Sequence, residues 1–135
     1  AYDLTMLRAE AERWGIAQPD SHRLLVVDPY VIDWGIQRGE LGPRKLTDVA
    51  AYYGVALDNA HDATADARAA RDIADEIGMR HPAVAAGTLS DLMTRQRTWF
   101  ADRADDWNAY ARKSGRTLDD PAGWPLAGAP LALTL

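Results

Sequence analysis

Only one short stretch of the sequence has the pattern of a β-strand, and this limits the folds available to the chain. The run "RLLVVDPY" (residues 23–30) is apolar, contains Val26 and Val27, and is closed by Pro29. A single strand cannot pair with itself, and its backbone N–H and C=O groups need partners. Either this run belongs to a sheet completed by a polypeptide segment that the chain lacks, or it is not a strand.

The rest of the sequence predicts helices joined by short turns. Thr47 and either Asn59 or Asp62 are predicted helix N-caps, and Gly15 is a predicted helix stop. The proline- and glycine-rich tail (residues 118–135) predicts an extended segment. Apolar residues at helical spacing predict helices over residues 2–15, 31–39 and 46–54, from residue 59 or 62 to near Gly78, and from about Ser90 to Arg112.

Composition excludes several classes of protein. The chain has 135 residues, of which 47% are hydrophobic and 26% charged, as expected for an ordinary globular domain. It has no cysteine, which rules out a disulfide scaffold or a thiolate metal site. The net charge of −5 argues against nucleic-acid binding by bulk electrostatics, although an acidic site could still hold divalent cations. Because no apolar run reaches membrane-span length and no signal pattern is present, we expect a cytoplasmic protein without a membrane partner.

A carboxylate lies on the apolar stripe of the predicted helix in "NAHDATADARAARDIADEIG" (residues 59–78). Ile73 and Ile77 recur on one helical face with Ala70, and extending that face back by one turn reaches Asp66. His61 precedes Asp66 by five residues. Because a buried carboxylate is costly unless it is paired or bound to a metal, Asp66 is either a cap residue near a helix start or part of a site.

Four segments resemble the DEDDh-type 3′–5′ exonucleases, a family that includes the proofreading subunit of bacterial DNA polymerase III. "AYDLTMLRAEAERWG", "RLLVVDPY", "RKLTDVAAYYGV" and "NAHDATADARAA" occur in the family's order within residues 1–82. Tyr2 and Asp3 match the second motif of the family, and His61 and Asp66 match the third, a histidine and an aspartate separated by four residues. The first motif, Asp-x-Glu, is absent, so the resemblance implies the C-terminal part of such an enzyme.

The resemblance also implies a fold and a division of the chain. It implies an α/β, ribonuclease H-like exonuclease fold, represented mainly by its helical C-terminal part with one short strand in residues 1–82. Residues 83–135 would then add a long helix and an extended tail. Trp99, Phe100, Trp107 and Tyr110 would either dock this helix onto the exonuclease body, which we favour, or form an interface with a partner.

The implied activity is metal-dependent hydrolysis of phosphodiester bonds at the 3′ ends of single-stranded DNA or RNA. Asp3 and Asp66 would be two of four acidic ligands of two Mg²⁺ or Mn²⁺ ions, and the other two ligands would lie outside the chain. His61 would accept a proton from the attacking water. An N-terminal fragment of the same protein or a second copy is therefore an expected partner, since the lone strand would also have an open edge.

The positions of the two carboxylates agree with a shared site. Asp3 precedes Leu7 and Trp14 on the apolar face of the first helix, as Asp66 does on its own helix. If both stripes are buried, Asp3, His61 and Asp66 cluster at one end of the helices.

The alternative class is a non-catalytic helical interaction module, in which His61 and Asp66 only cap and pack. Asp62 is better explained as a helix cap, and Asp28 as a turn residue before a proline. His22 and His81 have no ligand partner at convincing spacing.

Overall fold

The structure, a computed structural model, describes residues 2–18, 23–38, 44–58 and 62–126. All regular secondary structure in these ranges is helical, and no strand is present in them. The predicted α/β, ribonuclease H-like fold is therefore wrong. The helices are α1 (Tyr2–Arg13), α2 (Pro29–Gln37), α3 (Leu46–Tyr53), α4 (Ala63–Arg80), α5 (Pro82–Ala85) and α6 (Leu89–Ser114).

The segment predicted as a strand is held by helix side chains. Residues 24–28 have no regular secondary structure. The backbone N–H of Val26 donates to Sδ of Met93 at 3.1 Å. Its carbonyl accepts a hydrogen bond from Nε2 of Gln96 at 2.8 Å. Since α6 supplies the partners that a neighbouring strand would provide, the isolated segment satisfies these backbone groups without a sheet.

The chain divides into two compact units. The first comprises Ala1–Val26 and Met93–Leu135, and the second comprises Val27–Leu92. No helix in the described ranges is long and apolar enough to cross a membrane.

In the first unit, the chain beyond α6 folds back onto that helix. Asn108 donates from Nδ2 to the carbonyl of Asp119 at 2.9 Å, and its Oδ1 accepts the Asp119 N–H at 2.8 Å. Arg103 also forms an ion pair with the Asp119 carboxylate. Trp124 and Leu126 are then buried. The extended tail that we predicted thus begins as a folded-back segment, and residues 127–135 lie outside the described part.

In the second unit, α4 packs against α2, α3 and α5. The predicted stripe on α4 is confirmed for Ile73 and Ile77, which are buried together with Ala69, whereas Ala70 is only half-buried. Their spacing places one face of the helix toward its neighbours. The facing core residues are Val31 and Ile32 of α2, Val49, Ala50 and Tyr53 of α3, and Val84 of α5.

Aspartate side chains fix where α2 and α4 begin. The Asp28 carboxylate accepts the backbone N–H groups of Tyr30 and Val31 at 3.1 and 3.3 Å, so Asp28 is a helix cap. The Asp62 carboxylate accepts the backbone N–H groups of Thr64 and Ala65 at 3.1 and 2.9 Å. Of the two predicted caps of α4, Asp62 is therefore the one confirmed.

The start of α3 differs from the prediction. Thr47 is not its N-cap, because the helix already begins at Leu46. Asp48 reaches back instead, and its carboxylate accepts the backbone N–H of Lys45 at 3.0 Å. The helix ends at Tyr53, one residue before the predicted end, and Gly54 follows as its C-cap with a φ of 71°, which suits a residue without a Cβ. The short helix α5 was not predicted.

We predict that Gln96→Met destabilises the chain by about 1–3 kcal/mol, because a substitution of similar size leaves the half-buried Val26 carbonyl without its donor. Gln96 is 0% exposed. The matched control is Lys113→Met on the exposed part of the same helix, with an expected change of less than about 0.5 kcal/mol. Urea unfolding followed by circular dichroism measures both, and equal effects would show that the Gln96 contact is unimportant.

Candidate functional site

Asp3 lies in the first turn of α1, and its side chain is exposed. A carboxylate there is favoured by the positive end of the helix dipole. The prediction that it continues a buried stripe is wrong for the structure described, because Leu7 is 66% and Trp14 is 68% exposed. Asp3 is therefore at the start of a helix whose apolar stripe is largely open.

Asp66 lies in the first turn of α4 and is half-buried. It is on the face that carries Ala69 and Ile73, as the periodicity predicted. Its backbone N–H donates to the carbonyl of Asp62 at 2.9 Å, so its position is fixed by the capped turn. The side chain of Asp62 is engaged as the cap of this helix.

The predicted grouping of the three site residues stays a prediction. His61 lies outside the described residues. Asp3 belongs to the first unit and Asp66 to the second. Within residues 2–18, 23–38, 44–58 and 62–126, no group of three or more histidine, cysteine or acidic side chains could hold a metal ion. The two aspartates have the oxygen donors that Mg²⁺ prefers, but two carboxylates do not make a complete ligand set.

Another acidic group lies on the second unit, where Asp72, Asp75 and Glu76 line a shallow depression beside residues 54–56. Basic side chains neutralise part of it. Arg71 pairs with Asp72 at 2.6 Å, and Arg80 pairs with Glu76 at 3.1 Å. The group is an ordinary set of surface ion pairs and is useful below as a control for unspecific cation binding.

Among the described residues of the second unit, Asp33 is a buried carboxylate, only 2% exposed. Its Oδ1 accepts a hydrogen bond from the Tyr53 hydroxyl at 2.8 Å and another from Arg44 at 3.1 Å. Nε of Arg44 lies 2.7 Å from Oδ2. Both carboxylate oxygens therefore have partners, as a buried charge requires. The sequence analysis missed this cluster, although Asp33 is the only charged residue in the apolar helix "PYVIDWGIQ".

The environment of Tyr53 raises the pKa of its hydroxyl above the ordinary value. Burial is the largest cause, followed by the hydrogen bond that the hydroxyl donates to Asp33 and by the negative charge of that carboxylate. The neutral phenol is the form that fits this cluster. We assign the cluster a structural role, because its groups contact one another and hold α2 and α3 together.

An apolar groove lies in the first unit, along α1. It has a volume of about 410 Å³ and is lined on the helix side by Leu4, Leu7, Ala11 and Trp14. Leu126 contributes to the same groove. The open stripe of α1 is thus one wall of a concave surface.

No family model, curated protein or solved structure matches this chain.

We predict that the chain loses stability as the pH rises above about 10, and that Tyr53→Phe reduces this loss. The pKa of Tyr53 is higher in the folded chain than in the unfolded chain. The neutral hydroxyl therefore makes its full contribution to the free energy of unfolding at pH values below the unfolded-state pKa. This contribution declines as the pH rises from the unfolded-state pKa toward the folded-state pKa, because in that range Tyr53 ionises only in the unfolded chain.

Urea unfolding at several pH values between about 8 and 11 measures the effect. The control is Tyr110→Phe, which removes an exposed tyrosine hydroxyl outside this cluster. Identical pH slopes for the unsubstituted chain and Tyr53→Phe would contradict the prediction.

Proposed function

We propose that the chain contributes part of the active site of a metal-dependent 3′–5′ exonuclease acting on single-stranded DNA or RNA. The observation that carries the proposal is the sequence spacing of His61 and Asp66, which follow the Tyr2–Asp3 motif in the family's order. The placement of both aspartates in the first turn of a helix supports it. The proposal rests on these residues and not on a fold, because one chemistry recurs on unrelated folds.

Each of the three residues has a role in this proposal. Asp3 and Asp66 provide oxygen ligands for Mg²⁺ or Mn²⁺, and a further polypeptide segment provides the remaining carboxylates. The bound ions supply water activation and neutralise charge on the phosphoryl group. His61 takes up the proton of the attacking water, because an imidazole exchanges protons near neutral pH.

A non-catalytic interaction module is the second candidate, and one observation favours it. Leu7, Trp14 and Ile16 are each more than half exposed in the first unit. Exposed apolar clusters of this kind often mark contact surfaces. Such a module needs no divalent cation and does not shorten nucleic acids, so the two candidates are separated by an activity assay with and without chelator.

We predict that the chain, together with a polypeptide segment that supplies the Asp-x-Glu motif, trims 3′ ends only with Mg²⁺ or Mn²⁺. In that protein His61→Ala and Asp66→Ala should each lower the rate by about 10²–10⁴-fold, since each removes a proton acceptor or a ligand. Asp72→Ala is the matched control and should leave the rate unchanged. Trimming of a 5′-labelled oligonucleotide on a denaturing gel is the measurement.

Residues 1–135 alone should be inactive in the same assay, because two carboxylates hold too little negative charge to bind Mg²⁺ well. Two results would contradict the proposal. One is full activity of His61→Ala or Asp66→Ala. The other is activity of the chain alone that disappears on Asp3→Ala, which would show a complete site within it.

A further inference from the structure

The exposed stripe of α1 has a pattern that suits a second copy of itself. Leu7 and Trp14 lie on the open side of the helix, 66% and 68% exposed, with the small residue Ala11 between them. Seven residues correspond to about two helical turns, so the two large side chains lie in one line along the helix. An apolar line of this length is what a short helix–helix contact buries.

Charged residues flank this stripe on both sides. Arg8 lies on one edge with Glu12, and their side chains approach to 3.9 Å. Glu10 lies on the other edge with Arg13, at 3.6 Å. Each edge therefore carries one cation and one anion, in opposite order along the helix.

Antiparallel pairing about a two-fold axis brings each edge against the same edge of the second copy, with its order reversed. Arg8 then faces Glu12 of the second copy, and Glu10 faces Arg13 of the second copy. In the same register Leu7 faces Trp14 of the second copy. For each pairing, the midpoint between the two positions along α1 marks where the two-fold axis would cross the helix. The three midpoints agree to within about 2 Å of helix rise, so one register satisfies all three pairings. They lie close to Ala11, whose small side chain allows the two helices to approach closely.

We propose that α1 is the interface of a symmetric homodimer, in which the antiparallel stripes of two copies cover each other. The support for a second copy, rather than an unrelated partner, is that the apolar pairing and both charge pairings are satisfied in one register. A contact based on one 12-residue helix is small, so we expect a dissociation constant on the order of 10–100 µM.

Sedimentation equilibrium between about 5 and 500 µM tests the proposal. The unsubstituted chain should pass from monomer to dimer. Leu7→Asp should raise the dissociation constant at least about tenfold, because it places a charge in the apolar contact. Leu118→Asp, at another exposed leucine of the same unit, should leave it unchanged. Circular dichroism of both variants checks that the helices are retained.

Charge variants test whether the stripe faces its own copy. Arg8→Glu with Arg13→Glu makes both edges negative, and Glu10→Arg with Glu12→Arg makes both positive. Each double variant alone should be a monomer, since like charges face each other, and an equimolar mixture should form a heterodimer. Failure of the mixture to associate would overturn the proposal.

Cross-linking tests the antiparallel register, because the chain has no cysteine of its own. A mixture of Leu7→Cys and Trp14→Cys should form a disulfide-linked dimer more readily than either variant alone, since these positions face each other. Equal cross-linking by Leu7→Cys alone would indicate parallel pairing and contradict the register. A chain that stays monomeric at all concentrations, with the groove filled by another partner or by its own residues, would overturn the proposal entirely.

Discussion

The second unit depends on the neutralisation of one buried carboxylate. Asp33 on α2 is buried, and Arg44 and Tyr53 contact its two oxygens, as a buried carboxylate requires. Arg44 precedes α3 and Tyr53 ends it, so these contacts fix α3 against α2. Arg80 of α4 then donates to the carbonyl of Tyr53 at 2.5 Å, which links the end of α4 to the end of α3. The helix that carries Asp66 is thereby held within the same network.

Local signals predicted most of the helices. The stripe of Ile73 and Ile77 and the cap at Asp62 each depend on residues within one or two turns, and the structure confirms them. The strand prediction failed because a strand depends on hydrogen-bond partners that lie far away in the sequence. Residues 24–28 are apolar enough for a strand, but the hydrogen bond to the Val26 carbonyl comes from Gln96, 70 residues along the chain. A pattern within one segment does not specify such a partner.

The candidate site shows the same difference between features set by neighbouring residues and features set by distant ones. Periodicity correctly placed Asp66 on the packed face of α4, because that face is defined by its own helix. It wrongly predicted a buried stripe for α1, since burial depends on what packs against Leu7 and Trp14. Asp33 was missed for a related reason, because its partners Arg44 and Tyr53 lie 11 and 20 residues away. The role of His61 rests on its spacing from Asp66 alone.

The most direct test of the proposed site is a Mn²⁺ titration of the ¹⁵N-labelled chain. A paramagnetic ion broadens amide signals near it, so the titration locates bound metal without requiring activity. We expect the amide signals of Asp3 and Asp66 to broaden at lower Mn²⁺ concentrations than those of Asp72 and Asp75. In the Asp66→Ala variant this preference should disappear. Broadening that begins at Asp72 and Asp75, or that is unchanged by Asp66→Ala, would contradict the proposed site.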